Sequence, residues 1–99
     1  MNAQLGKQVK PLTFQVTFLV EPDEVRFHAW APMLKGLHAD GKSVKEALQQ
    51  ACELAQLYLE SLIEDGEPIP LGPEVISTKA NTRSDDVMVH LETVTVFAG

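Results

Sequence analysis

The residues that could do chemistry are few, and most lie between Gly36 and Ser43. Gly36-Leu-His-Ala-Asp-Gly-Lys42-Ser43 is a literal match to G-x-x-x-x-G-K-[ST], the loop that wraps backbone N–H groups around phosphates. A helix follows it, as that loop requires. Two features count against nucleotide binding. Leu37-His38-Ala39 reads as extended chain rather than a nest of N–H groups, and no buried strand ends in an Asp that would hold Mg²⁺. The same residues are better read as a turn and a helix cap. His28, His38 and His90 fall on three separate strands with no short His/Cys/Asp spacing between them, so no metal and no cofactor is expected. Cys52 is the single cysteine and cannot form an internal disulfide, which fits a reducing cytosol. It lies on the flank of a helix's apolar face, the place of a packed, inert thiol. No Ser-His-Asp order stands out, nor any carboxylate pair tied to a cleft. No catalytic residue is therefore assigned.

The elements that position these residues are legible from periodicity. Ser43 is a good N-cap, and Glu46 is placed to reach back to the cap's own N–H in a capping box. Val44, Ala47, Leu48, Ala51, Leu54, Ala55, Tyr58, Leu59 and Leu62 then recur at three- and four-residue steps, one apolar face of a helix. Gly66 is a natural residue just past the helix end, and Pro68 and Pro70 forbid continuation. The helix should run from Val44 to Asp65, about 33 Å at 1.5 Å per residue. Leu57, and Ile63 on the flank, hint that its outer side is also covered.

Before the helix, Thr13 to Glu21 alternates as a half-buried strand. Phe14, Val16, Phe18 and Val20 face one way, and Thr13, Gln15, Thr17 and Leu19 the other. Pro22-Asp23 reads as a turn. Val25 to Trp30 alternates again, with Val25, Phe27 and Ala29 inward and Arg26, His28 and Trp30 outward. Leu37-His38-Ala39 is a short edge strand. After the helix, Val75-Ile76 reads as a short extended piece and Asn81 to Asp85 as a polar loop. Asp86 to Phe97 is the last strand. Its apolar phase breaks, because Val87, Val89 and Leu91 have one parity and Val94 and Val96 the other. A bulge near Glu92-Thr93 would account for the break. So would a strand end that packs on a second chain, and a homo-oligomer using Val94, Val96 and Phe97 is the expectation. Residues 1–11 form an arm expected to fray, and residues 12–99 a single domain. The order β-β-β-α-β makes an α+β fold, with one mostly antiparallel sheet and a single long helix packed on one face. The crossover from third to fourth strand is expected to be right-handed.

Three short motifs occur in order: Ala31-Pro-Met-Leu-Lys-Gly36, Asp40-Gly-Lys-Ser-Val-Lys-Glu-Ala47 and Tyr58-Leu-Glu-Ser-Leu62. The Pro-rich exit Gly66-Glu-Pro-Ile-Pro70 follows them. In that order and spacing, between Phe14 and Pro73, the chain resembles the HicB-like antitoxin family. It departs at Met33, where an acidic residue is common, at Leu37, where Cys is common, and at Lys42, where Asp is common. The resemblance implies a truncated RNase H-like sheet with strands in the order 3-2-1-4. It also implies a non-catalytic protein that binds and occludes a small basic HicA-like toxin, an mRNA-cleaving enzyme. Full-length relatives add a DNA-binding module. Here the residues after Pro73 show no second helix pattern, so no direct DNA binding by this chain alone is expected.

Composition points the same way. The 99 residues carry a net charge of −6, which disfavours nonspecific nucleic-acid binding and suits a basic partner. No apolar run is long enough to span a bilayer, and no signal peptide is visible. A cytoplasmic protein without membrane contact is expected. One sheet face is left uncovered by a single helix, and Trp30 with Leu19 stand among polar residues there as the apolar partner contact. Glu60, Glu64 and Glu67, clustered at the helix end, would steer a basic partner. The alternative is a small enzyme or ligand-binding module on the same fold, which a pocket lined by Arg26, His28 and Trp30 would favour.

Overall fold

A computed structural model describes residues 10–70 and 86–98. The expected pieces at Val75-Ile76 and Asn81 to Asp85 lie outside the described residues. The elements are β1 (Lys10–Asp23), β2 (Arg26–Trp30), β3 (His38–Gly41), α1 (Val44–Glu64) and β4 (Met88–Ala98). They form one four-stranded sheet in the order β3-β2-β1-β4, every neighbouring pair antiparallel. This is the expected α+β fold and the expected strand order. β3 and β4 lie at opposite edges and run antiparallel to each other. The handedness rule concerns parallel crossovers, so it has no application here.

β1 is longer than its alternating core because it is paired along both sides in turn. β4 pairs with Lys10 to Val20, and β2 with Leu19 to Asp23. Lys10 and Pro11 thus belong to the strand and not to an arm. Pro22 pairs within the strand opposite Phe27, and the turn comes later, at Glu24-Val25 between the paired Asp23 and Arg26. A two-residue hairpin turn needs a positive φ, and Glu24 supplies it at 59°. Val25, expected inward, is at the hairpin tip and 88% exposed.

β4 contains no bulge. Its eleven residues pair with β1 without a skip, from Lys10↔Ala98 to Val20↔Met88. The phase break is instead a change of which face carries the apolar side chains. Val89 and Leu91 lie on the face away from the helix, and Val94 and Val96 lie under it, in the core with Val16, Phe18, Val20, Ala29 and Ala39. Val94 and Val96 therefore cannot offer side chains to a second chain, contrary to the expectation. Phe97, with the opposite parity, remains exposed.

α1 starts as the sequence demands. The Ser43 hydroxyl accepts from the Glu46 N–H at 3.0 Å, a cap that contributes about 1 kcal/mol. The Glu46 carboxylate accepts from the N–H of Lys42, one residue before the cap, rather than from that of Ser43. The helix ends in a Schellman motif. Glu67 N–H donates to the Leu62 carbonyl and Gly66 N–H to the Ile63 carbonyl, with Gly66 at φ 68°. The buried seam is Ala47, Ala51, Ala55 and Leu59, four residues apart, and its three alanines let the helix sit close to the sheet. Leu54 is at the margin of this seam and partly exposed, and Leu57 is mostly exposed. Among the described residues, no helix is long and apolar enough to cross a membrane.

Candidate functional site

The face of the sheet opposite α1 brings together residues that the sequence scatters. Leu19 pairs with Trp30, Glu21 with His28, His28 with Asp40 and Trp30 with His38. Side chains opposite one another across strands share a face, so Glu21, His28, Trp30, His38 and Asp40 form one group where β1, β2 and β3 meet. His28 is its centre. Its Nδ1 is 3.7 Å from Glu21 Oε2, and its Nε2 is 2.9 Å from His38 Nδ1. The two imidazoles are nearly parallel, at 11°, with centroids 5.0 Å apart. Their nitrogens are far closer than their centroids, so the rings meet edge to edge through a hydrogen bond. One ring must donate and the other accept, which requires at least one of the two to be neutral. On the other side His28 stacks on Trp30 at 5.0 Å and 21°. The result is a row of three rings with a carboxylate beside its middle member, fixed by strand register rather than by loops.

Leu19, the expected companion of Trp30, is only 1% exposed. It sits on the central strand between its two cross-strand neighbours, Trp30 and Val89, and cannot serve as an accessible contact. Trp30 itself is half-buried. Glu64 and Glu67 are exposed and Glu60 half-buried, but they belong to α1 and its exit, on the far side of the sheet from Trp30. The two expected halves of the partner surface thus do not form one patch. The histidines were the missed members. Outward parity of Arg26, His28 and Trp30 was visible in β2; the diagonal contact to His38 needs the β2–β3 register.

Three grooves follow the helix flanks and the sheet beneath. One of about 670 Å³ is lined by Val44, Leu48, Cys52, His90 and Glu92 among others. One of about 480 Å³ continues it along β4 to Phe97. A third, also about 480 Å³, lies between Gly36–His38 and Leu54–Tyr58. Arg26, His28 and Trp30 line none of these three grooves. The Gly36–Ser43 stretch is likewise no phosphate cradle. Its middle four residues, His38–Gly41, are β3, the Ser43 hydroxyl is occupied by the helix cap, and the buried Gly41 lies against the first turn of α1.

Cys52 lies in the groove between α1 and β4. Burial first, and then the Glu92 and Glu53 carboxylates, push its thiol above its ordinary value. The folded chain holds this proton more tightly than the unfolded chain does. Its contribution to stability is therefore complete below the unfolded thiol value and is lost as pH rises through the folded one. Alkylation by iodoacetamide at pH 8 should be slower in the folded chain than in urea, because the thiolate is the nucleophile. Equal rates would show that Cys52 stands free in solvent.

With this geometry in hand, solved structures identify the class. The fold matches the N-terminal domain of the Burkholderia pseudomallei antitoxin HicB at a TM-score of 0.59 and 18% identity, covering 80% of this chain and 95% of that one. The same antitoxin in a longer chain matches at a TM-score of 0.60 and 18% identity, covering 79% of this chain and 61% of that one. A HicA3 and HicB3 toxin–antitoxin complex supplies a third match at a TM-score of 0.55 and 15% identity, covering 84% and 95% of the two chains. This is the fold of a HicB antitoxin N-terminal domain. No family model matches the chain. Two sequence relatives do: a UPF0150 protein of Synechocystis sp., 41% identical over 58 residues, and one of Helicobacter pylori, 40% identical over 50 residues. They span 58% and 50% of this chain and 73% and 69% of their own lengths. The chain belongs to the UPF0150 family, and the expected HicB-like resemblance holds in its fold.

Proposed function

We propose that this protein is a HicB-like antitoxin, or an orphan relative of one, that binds and occludes a small basic HicA-like toxin without performing chemistry. The observation that carries this reading is the ring row on the open face. Trp30 presents an aromatic surface at one end of the row, and Glu21 and Asp40 flank its stacked neighbour His28 with carboxylates. A basic partner can lay a guanidinium or ammonium group there, over a ring and beside an acid. The fold shared with HicB3, which occurs in a complex with HicA3, supports the same partner class. The net charge of −6 adds a long-range attraction for a basic surface evolved to meet phosphates. Glu60, Glu64 and Glu67 act at a distance, as steering charges, rather than in the same contact patch. Among the described residues the one helix is seated on its own sheet, and with a net charge of −6 the chain alone is not expected to retard a duplex of its promoter at physiological salt.

The test is co-expression with any short basic protein encoded beside this chain. Growth rescue and a stable complex are expected. Trp30→Ala should raise the dissociation rate about tenfold, as loss of a central aromatic contact does. Reversing the charges of Glu60, Glu64 and Glu67 should mainly slow association and flatten its salt dependence. A toxic neighbour that the chain neither binds nor neutralises would defeat the antitoxin reading and leave the fold alone.

A further inference from the structure

β4 is an edge with unusual exposure. Among the described residues it pairs only with β1, which leaves the backbone groups of its outer side unpaired over eleven residues. Proteins normally blunt such an edge with proline, charge or brevity. The opposite edge, β3, follows that rule with four residues, His38 and Asp40 pointing outward. β4 does not. Its open-face residues are Val89, Leu91, Thr93, Thr95 and Phe97, without a charge or proline, and Val89, Leu91 and Phe97 are each about half exposed or more: 49%, 64% and 54%. The groove between α1 and β4 leaves the helix face of the same strand open as well.

We propose that β4 pairs edge to edge with β4 of a second copy, antiparallel, on a twofold axis that sets Thr93 opposite its own copy. The two sheets become one continuous sheet. The strand itself selects this register. A twofold perpendicular to the sheet keeps faces together, so it must pass midway between one residue and its own copy. Centred on Thr93, it pairs the whole of Met88–Ala98 with its copy. Val89 then meets Phe97 and Leu91 meets Thr95 on the open face, apolar groups covering apolar groups. On the helix face His90 meets Val96 and Glu92 meets Val94, so no like charges oppose each other. Moving the axis to Glu92 would set two carboxylates directly opposite, and moving it to Val94 would leave Met88 and Val89 unpaired. A chain of net charge −6 repels its copy in general. Here the facing side chains are nearly all neutral, so this edge is where the repulsion is least. The ring row of His38, His28 and Trp30 lies on the far strands, so this pairing neither uses nor depends on the toxin-binding reading.

Sedimentation and directed cross-linking test it together. The full chain should sediment as a dimer at micromolar concentration. With Cys52→Ser as background, Thr93→Cys should give a covalent dimer under mild oxidation. Directly opposed residues of an antiparallel pair lie about 4.5–5.5 Å apart at Cα, within disulfide reach. Thr95→Cys in the same background should not, because its own copy lies four residues further along the partner strand, on the order of 13 Å away. Thr93→Lys, which sets two ammonium groups opposite each other on an exposed position, should yield monomers with an unchanged helical circular dichroism signal. A full chain that sediments as a monomer overturns the proposal. So does a dimer that forms no cross-link at Thr93→Cys, or one that survives Thr93→Lys.

Discussion

Gly41→Ala should cost about 3 kcal/mol of stability, at the upper end of what overpacking usually costs. Gly41 closes β3, paired with Phe27, just before α1 begins. A Cβ placed on it would lie within 2.8 Å of Ala47 Cα and of the Glu46 carbonyl carbon, and closer still to the Ala47 N–H. Those are backbone atoms of the first helical turns, held by the Ser43 cap and by the Ala47 N–H donating to the Ser43 carbonyl. No side chain can rotate away to make room. Either the helix lifts from the sheet or β3 loses its register with β2. For a domain of this size 3 kcal/mol is a drop of roughly 12–24 °C in melting temperature, easily read by circular dichroism. A drop of less than about 3 °C would mean that the helix is not seated where it is described here. This glycine also completes the apparent nucleotide-binding motif, so its requirement is steric and has nothing to do with phosphate.

Leu59→Ala should be comparably severe, at about 2–5 kcal/mol in urea unfolding, the range for large-to-small changes in a core. Leu59 is the one large side chain of the helix's buried seam, fully enclosed, below Ala47, Ala51 and Ala55. Alanines cannot fill the space it leaves, and the close helix–sheet approach they permit gives the site little room to collapse. Leu48→Ala, which periodicity alone ranks beside it, should cost clearly less. Leu48 is a half-buried wall of the groove along β4, where water can enter the vacated volume. Equal losses at the two positions would mean that this groove is closed in solution. Because β4 lines that groove, association of two chains is one way to close it. The comparison is therefore best made at protein concentrations on both sides of any dimer transition.

Much of this molecule is local and so was legible without coordinates. The helix from Val44, its Ser43 cap, its Gly66 stop, the alternating cores of β1 and β2 and the short β3 all follow from periods of 3.6 and 2 and from capping chemistry. Those depend on residues within one turn or one hairpin of each other. The motifs around Ala31, Asp40 and Tyr58 added the strand order through a family likeness. The misjudged points all depended on register between distant segments. The sequence read Leu19 as exposed because its parity is outward, yet a central strand can enclose an outward residue between the large side chains of both neighbours. Val94 and Val96 looked like surplus apolar residues because their phase disagrees with Val89 and Leu91. Only the unbroken β1–β4 ladder shows that one strand can serve the core with its second half and the open face with its first. The hairpin turn moved from Pro22-Asp23 to Glu24-Val25 because pairing to Phe27 outweighs the turn preference of proline. The contact between His28 and His38 was invisible for the same reason. The two rings are ten residues apart in the chain, on strands whose parity is readable but whose stagger is set by the packing of Ala29 and Ala39 beneath α1.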